Sequence, residues 1–459
     1  MAQFAARICF GATLVFLPFR LQTVILARPE LKYQSGYTDY LLFVADLTLL
    51  LTLAFWATSM LALPRRLKLG PRAFWIPLLG LTATGWASSL HSYDRPLSVY
   101  HAIRLLGLFW FYLYIVNEIT SLGWVLIPVG LQVLIQSVAA LGQYFLQRSL
   151  LLQWMGEMSL DPAQRGISIV AADGARLLRA YGLTDHPNIL GGCLAFGLLL
   201  MLYAYVQGMH RWLAFAVLIL GLPALLVTFS RSAWLAFLLG SAGIVALKLW
   251  RNRQEAVRPL LVLAVASLVA VMPVILVHPR FFGVRLGQGG SFTAPTVEQQ
   301  AIGERLLLIQ SSSAMIRDHL VFGVGLGAAP VALKAYQPQW TLGFEPPHVA
   351  LLDVAVETGL PGAVFYLALM LAPFVLYLNR RPASFREPLV SVTVALLLAI
   401  TIAGFFDYYT WLLVPGRLWL WLAWGLAAAA LMPRSQLAAS YTRSPARPGK
   451  LIADVHPSA

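Results

Sequence analysis

His348 is the residue in this sequence best suited to acid–base chemistry. It follows Pro346 and Pro347, which set a rigid entry to a predicted helix over residues 348–359. The N-terminus of a helix disfavours a positive charge, so an imidazole at that position can stay neutral and act as a base. The alternative is a histidine with a structural role only.

Arg231 is the charge that the sequence places nearest to lipid. It belongs to the motif TFSRSAW at residues 228–234, where two predicted membrane spans meet with almost no loop. A charge in such a position is costly and usually faces the protein or a wet cavity. The alternative is an arginine that snorkels to the surface beside Trp234 in the aromatic belt. Arg179 and Arg305 lie in long loops, and Arg179 could instead contact a lipid headgroup.

A third polar group stands between the last two predicted spans, in the stretch Phe405-Phe406-Asp407-Tyr408-Tyr409. A carboxylate beside two tyrosines has the chemistry to bind a sugar. The same residues also suit an aromatic belt with a helix cap. The sequence leaves both interpretations open.

The composition decides what kind of structure must position these residues. Of 459 residues, 59% are hydrophobic and 11% are charged, and the mean hydropathy is +0.73. Soluble domains carry about 25% charged residues, and disordered chains are poor in apolar residues. A water-soluble globular enzyme and a disordered chain are therefore both excluded, and an all-α, polytopic membrane protein is predicted.

Apolar runs of about 20 residues predict the membrane spans. The sequence has twelve such runs, at residues 8–27, 39–62, 73–90, 100–118, 123–147, 188–207, 211–229, 232–250, 259–277, 360–378, 388–405 and 411–431. Arg20 and Asp46 are the main charges predicted near the middle of the bilayer. Cys9 and Cys193 both lie in apolar runs and indicate neither a disulfide framework nor a metal site.

Lysine and arginine in the short loops set the orientation. The dense clusters PRRLKLGPR, KLWRNRQEAVR and NRRPASFRE all fall on one side if the N-terminus is cytoplasmic. The net charge of +14 therefore points to a membrane rather than to a nucleic-acid partner. Residues 1–432 are predicted to form the transmembrane domain, with periplasmic loops at 148–187 and 278–359 that contain short helices. Residues 433–459 are predicted to be a disordered, basic cytoplasmic tail.

Four motifs, taken in order, resemble those of the O-antigen ligase family of bacterial envelope glycosyltransferases and its relatives, the O-antigen polymerases. They are RAYGLTDHPN at 179–188, FSRSAW at 229–234, Arg305 with DHLVFGVGLG at 318–327, and His348 with ETG at 357–359 and Gly362. The resemblance covers about residues 176–378. The family usually has His-Asn where this chain has His348-Val349, so this chain keeps the histidine and lacks the asparagine amide.

The resemblance implies transfer of a glycan from undecaprenyl diphosphate to an acceptor hydroxyl at the periplasmic face of the inner membrane. Arg179, Arg231 and Arg305 would bind the diphosphate, because arginine is permanently charged and grips phosphate with paired hydrogen bonds. His348 would be the catalytic base. Further expected contacts with acceptor or glycan are Asp407, Tyr408 and Glu357. The reaction is expected to invert the anomeric carbon and to need neither a metal nor a cofactor.

The acceptor decides between the closest alternatives. Lipid A–core oligosaccharide would make the protein a ligase, which the His348 motif and its following Glu-Thr-Gly favour. A second carrier-linked repeat unit would make it a polymerase, and transfer to protein hydroxyls is a third enzymatic possibility. A secondary transporter and a structural scaffold are the alternatives from other classes. Charge gathered at one face and the lack of an inverted repeat argue against a transporter.

Overall fold

The computed structural model describes residues 1–29, 35–119, 121–164, 166–172, 174–287, 297–339, 345–379 and 388–432. In this part of the chain the protein is mostly helical, and seven helices are long and apolar enough to span a membrane. The prediction of a mostly helical chain with several helices able to span a membrane is confirmed, whereas the count of twelve spans stays a prediction. The predicted basic tail at 433–459 lies outside the described residues.

The long helices follow one another in the order of the predicted spans. They are α1 (Ala2–Phe16), α3 (Val44–Ala62), α4 (Arg72–Ser88), α5 (Arg95–Glu118), α6 (Gly123–Leu146), α7 (Pro187–Val206), α8 (Arg211–Val227), α9 (Arg231–Val277), α13 (Ala350–Asn379), α14 (Pro388–Phe406) and α16 (Val414–Ala430). Helix α9 is bent at Asn252, whose backbone is non-helical, between the two spans predicted there.

Shorter elements lie between them. The helices are α2 (Ser35–Thr38), α10 (Pro279–Arg285), α11 (Val297–Asp318), α12 (Ala329–Tyr336) and α15 (Tyr409–Leu412). Two antiparallel hairpins pair β1 (Gln22–Leu26) with β2 (Tyr40–Phe43) and β3 (Ile169–Ala172) with β4 (Ala175–Leu178). Helices α10, α11 and α12 lie in the second long loop, as the sequence predicts.

The first predicted span differs most from the structure. Residues 8–27 do not form one helix, because α1 ends at Phe16 ahead of Pro18, and the chain then enters strand β1. Proline cannot continue a helix, and the β-branched residues that follow favour a strand.

The two charges expected near the middle of the bilayer lie beside helix ends instead. Arg20 follows α1 and its Nε lies 2.5 Å from Asp185 Oδ1. Asp46 is in the first turn of α3, where it caps the helix through Phe43 N at 3.0 Å and accepts two bonds from Arg104, at 2.7 and 2.6 Å. Paired charges at helix ends cost far less than single charges in hydrocarbon, which explains why both are tolerated.

Helix α7 forms the centre of the bundle and packs against α6, α8, α9, α14 and α16. All of its side chains except that of Asn188 are buried. The helix begins with Pro187 in its first turn and is capped by His186, whose Nδ1 accepts from Asn188 N at 3.1 Å. Asp185, the residue before His186, is not the cap residue and pairs with Arg20 instead. A buried central helix fixes the position of Asn188 at its end.

Helix α13 changes direction at Gly359, which has φ +72° and ψ −178°. Only glycine adopts this backbone conformation readily. A side chain at this position would also collide with the carbonyl of Val321. The predicted boundary between the helix over residues 348–359 and the span at 360–378 is therefore present, and it separates the segment that follows His348 from the rest of α13.

A cationic cluster beside His348

The candidate site is assembled from chain segments that reach the same face of the bundle. Strand β4 ends before Arg179, α7 begins after His186, and α8 passes into α9 at residues 228–231. Helix α14 ends before Asp407, and α13 begins two residues after His348. Because these helix ends share one face, residues far apart in sequence come together there.

A chain of polar contacts joins these segments. Nε of Arg179 donates to the carbonyl of Thr228 at 2.8 Å, and its Nη2 donates to Asn188 Oδ1 at 2.6 Å. The Asn188 amide donates in turn to Asp407 Oδ2 at 2.9 Å. The other oxygen of Asp407 lies 3.8 Å from Nδ1 of His348, an ion-pair distance rather than a hydrogen bond. One carboxylate thus connects the predicted diphosphate side of the site to the predicted base.

His348 lies between two carboxylates, since its Nε2 is 3.3 Å from Glu345 Oε2. Burial alone would lower the pKa of His348, but Asp407 and Glu345 raise this pKa to about 9. The expectation of a neutral imidazole is therefore wrong for this arrangement of charges. The carboxylates lie beside the ring, whereas the helix dipole acts only weakly because α13 begins at Ala350.

Asp407 is ionised and so complements the positive charge of His348. Burial alone would raise the pKa of Asp407, whereas His348, His186 and the Asn188 amide lower this pKa to about 2. Asp407 is 5% exposed, so its charge is held by these neighbours rather than by water. Asp407 is therefore placed to stabilise an imidazolium at His348.

His186, the second histidine of the site, is neutral, whereas His348 is protonated. Burial, and then the charge of Arg179, lower the pKa of His186 to about 4. Both of its ring nitrogens are occupied, since Nδ1 caps α7 and Nε2 lies 2.9 Å from Ser168 Oγ. The nitrogens of His186 thus hold local structure, and its imidazole is neutral. His348 remains the candidate for proton transfer, because two carboxylates beside its ring can stabilise a proton that it takes up.

Arg179 is 7% exposed and does not stand alone. Burial, and then the charge of Arg285, lower the pKa of Arg179 to about 9, and Arg231 acts in the same direction. Three guanidinium groups therefore lie within electrostatic reach of one another. Such a concentration of positive charge favours the binding of an anion with several charges.

The remaining predicted residues lie at different depths. Arg231 and Arg305 are exposed, and the charge of Arg305 acts on His348 by lowering its pKa. The ring of Tyr408 packs 5.0 Å from that of His348, and its hydroxyl pairs with Tyr37. Glu357 is completely buried and accepts from Trp411 Nε1 at 2.8 Å. A glycan contact at Glu357 stays a prediction without a structural contact to support it.

Three residues of this cluster escaped the sequence reasoning, namely Asn188, Glu345 and Arg285. Glu345 precedes His348 by three residues, a spacing that could have indicated the contact. Asn188 ends the motif RAYGLTDHPN but was given no role in the site, and Arg285 belongs to no recognised motif. Within the ranges that the structure describes, no three His, Cys, Asp or Glu side chains are grouped as metal ligands.

Comparison with known proteins identifies one family. Residues 215–367 match the family model Wzy_C, described as O-antigen ligase, which confirms the resemblance to the O-antigen ligase and polymerase superfamily. The matched segment includes Arg231, Arg305 and His348, whereas Arg179 and Asp407 lie outside it. A search of curated proteins found no match to the chain.

Proposed function

We propose that the chain, whose residues 215–367 match the O-antigen ligase family model, transfers a glycan from undecaprenyl diphosphate to an acceptor hydroxyl. The acceptor is lipid A–core oligosaccharide, and the reaction takes place at the periplasmic face of the inner membrane. The observation that carries this proposal is the contact chain from Arg179 through Asn188 and Asp407 to His348. It puts cations for a leaving group beside a group that can accept a proton.

The cations act on the leaving group. When the bond between the anomeric carbon and the diphosphate oxygen breaks, its electron pair stays on undecaprenyl diphosphate. Arg179, Arg231 and Arg305 stabilise the charge that develops there, because guanidinium groups fixed in advance need little reorganisation. A charge of this size held by arginines gives a reaction that does not depend on a divalent metal.

His348 acts on the acceptor. In its neutral form, which is the minor form at pH 7, the imidazole takes the proton from the acceptor hydroxyl while the new bond forms from the hydroxyl oxygen to the anomeric carbon. The resulting imidazolium lies between Asp407 and Glu345, which stabilise it. Direct displacement of this kind inverts the configuration of the anomeric carbon. Asp407 is thus a positioning residue, and it acts through His348 rather than on the sugar.

A groove in the bundle suits the isoprenoid chain of the donor. A cavity of about 150 Å³ lies between α3, α5 and α16. Its walls are mostly apolar residues, including Gly107, and the charged residues Asp46, Arg104 and Arg417 also line it. Leu50 and Ile103, which also line it, are exposed on the outside of the bundle. The segment from Tyr37 to Leu41 runs from Tyr408 at the site to this cavity. The chain of the donor would lie in this groove while its diphosphate lies at the arginines.

A transfer assay with purified protein tests the proposal. The donor is a synthetic glycan on undecaprenyl diphosphate, offered with lipid A–core oligosaccharide or with a second carrier-linked repeat unit, each with and without chelator. The proposal expects transfer to lipid A–core that the chelator does not reduce. Transfer to the repeat unit alone would identify a polymerase, and loss of activity with chelator would refute the metal-independent reaction. No transfer from the donor to either acceptor would refute the proposed function.

A further inference from the structure

Arg285 is held by the same turn that holds Arg179. Its Nε donates to the carbonyl of Phe229 at 2.9 Å, and Nε of Arg179 donates to the preceding carbonyl, that of Thr228, at 2.8 Å. The turn continues directly into Arg231, the first residue of α9. Consecutive carbonyl groups therefore tether two guanidinium groups beside a third.

The turn has an unusual backbone. Phe229 has φ +50°, in the left-handed region that residues with a side chain rarely adopt. Thr228 supports the turn because its hydroxyl accepts from Ser230 N at 3.2 Å. Strained residues of this kind are retained where the surrounding structure requires them, most often at functional sites. Here the strained turn supplies the two carbonyls that position the arginines.

Helix α10 is fixed to this turn by a second contact. The ring of Phe282 packs 4.7 Å from the buried ring of Phe229, one helical turn before Arg285. The helix is thus anchored by an aromatic pair and by a hydrogen bond at its last residue. This double attachment directs Arg285 to the cluster, whereas Arg280 of the same helix is exposed.

Charge makes the arrangement unfavourable unless an anion is bound. Among the neighbouring charges, that of Arg285 acts most strongly on Arg179. A diphosphate monoester has two phosphoryl groups and several negative charges, and each guanidinium can bind two of its oxygens. A monophosphate offers one such group only, so a fourth arginine is useful for the diphosphate in particular.

We propose that Arg285 binds the diphosphate of the carrier lipid together with Arg179 and Arg231, and that it selects a polyprenyl diphosphate over the monophosphate. This inference rests on the proposed function, because it takes a polyprenyl diphosphate as the ligand. Arg285 was not among the residues implied by the family motifs, and it enters through its contact with the strained turn.

The test measures affinity rather than transfer. Full-length protein in detergent micelles is titrated calorimetrically with geranylgeranyl diphosphate and with geranylgeranyl monophosphate. Arg285→Ala should weaken diphosphate binding by about 10- to 100-fold, the effect expected for loss of hydrogen bonds to a charged group. Monophosphate binding should change much less, so the ratio of the two affinities falls. Arg280→Ala is the matched control and should leave both affinities unchanged.

The outcomes separate this inference from the proposed function. If Arg285→Ala binds both probes as tightly as Arg280→Ala does, while Arg231→Ala loses the diphosphate, Arg285 is not a ligand. If the wild-type protein binds neither probe, the proposed function itself fails. If Arg285→Ala does not fold, Arg285→Lys is tested instead, because lysine keeps the positive charge but lacks the planar guanidinium that makes paired hydrogen bonds. A lower diphosphate preference at an unchanged Tm would then support the inference, and an unchanged preference would overturn it.

Discussion

The Asp407→Asn substitution tests whether the charge of Asp407 sets the pKa of His348. It replaces the carboxylate 3.8 Å from His348 Nδ1 by a neutral amide of the same size. The amide can still contact Asn188, so the geometry of the site is largely kept. What changes is the charge beside the imidazole, and with it the pKa of His348.

The structure sets the size of the effect. The pKa of His348 is raised from 6.5 to about 9 even though burial acts in the opposite direction. At about 1.4 kcal/mol for each pKa unit, the surroundings favour the imidazolium by about 3 kcal/mol. Asp407 and Glu345 share this contribution, so loss of Asp407 should lower the pKa by about one to two units. The neutral fraction at pH 7 should rise from about 1% to about 10–50%.

The assay is kcat/KM for transfer as a function of pH, because this parameter reports the free enzyme. A base must be neutral, so the wild-type rate should rise tenfold for each pH unit and level off near pH 9. In Asp407→Asn the rise should end one to two pH units lower, at a reduced plateau because the base is weaker. Asp318→Asn, at the far end of α11, is the control and should not move the profile. A profile that stays in place in Asp407→Asn, or a rate that falls through pH 9 in the wild type, would refute the role of His348 as a base.

Three further substitutions test the fold and the groove. Gly359→Ala should lower the free energy of unfolding by about 1–3 kcal/mol, because a residue with a side chain is strained at φ +72°. The control is Gly243→Ala, where the added methyl group meets open space and should not lower stability. Equal stability of the two variants would contradict the strain at Gly359. In Gly107→Leu the added side chain also meets open space, so it should fill the groove. KM should then rise more for an undecaprenyl donor than for a geranylgeranyl donor. Equal effects on the two donors would mean that the isoprenoid chain does not lie in this groove. Asp46→Asn should break the ion pair with Arg104 and lower stability in a denaturant titration by about 3 kcal/mol, whereas an unchanged midpoint would show that this pair contributes little.

Hydropathy predicted the class of fold because burial of apolar residues in lipid requires long helices. It failed at the first span, where Pro18 and a β-branched segment outweigh apolar content. It also placed Arg20 and Asp46 too deep, since a linear pattern does not show that each charge finds a partner 58 or more residues away. Interactions between distant segments are what the sequence alone does not contain.

The candidate site was likewise predicted where a motif marks a residue and missed where contacts between distant segments decide. The resemblance to the family's motifs pointed to Arg179, Arg231, Arg305 and His348, and the structure brings them to one face of the bundle. The pKa shift of His348 was predicted in the wrong direction, because the carboxylates of Glu345 and Asp407 come from outside the helix considered. Arg285 was missed because only the contact with Phe229 distinguishes it from other loop arginines.

The most direct measurement of the central claim compares binding and transfer in His348→Gln. A glutamine can occupy the same space but cannot accept the proton. Purified variant and wild type are given radiolabelled undecaprenyl-diphosphate-linked glycan and lipid A–core, with bound donor and transferred glycan measured in the same sample. We predict that the variant binds the donor with near wild-type affinity, because the arginines are intact, and transfers at least about 100-fold more slowly. Transfer at the wild-type rate would contradict the account, since the arginine cluster would then act without this imidazole.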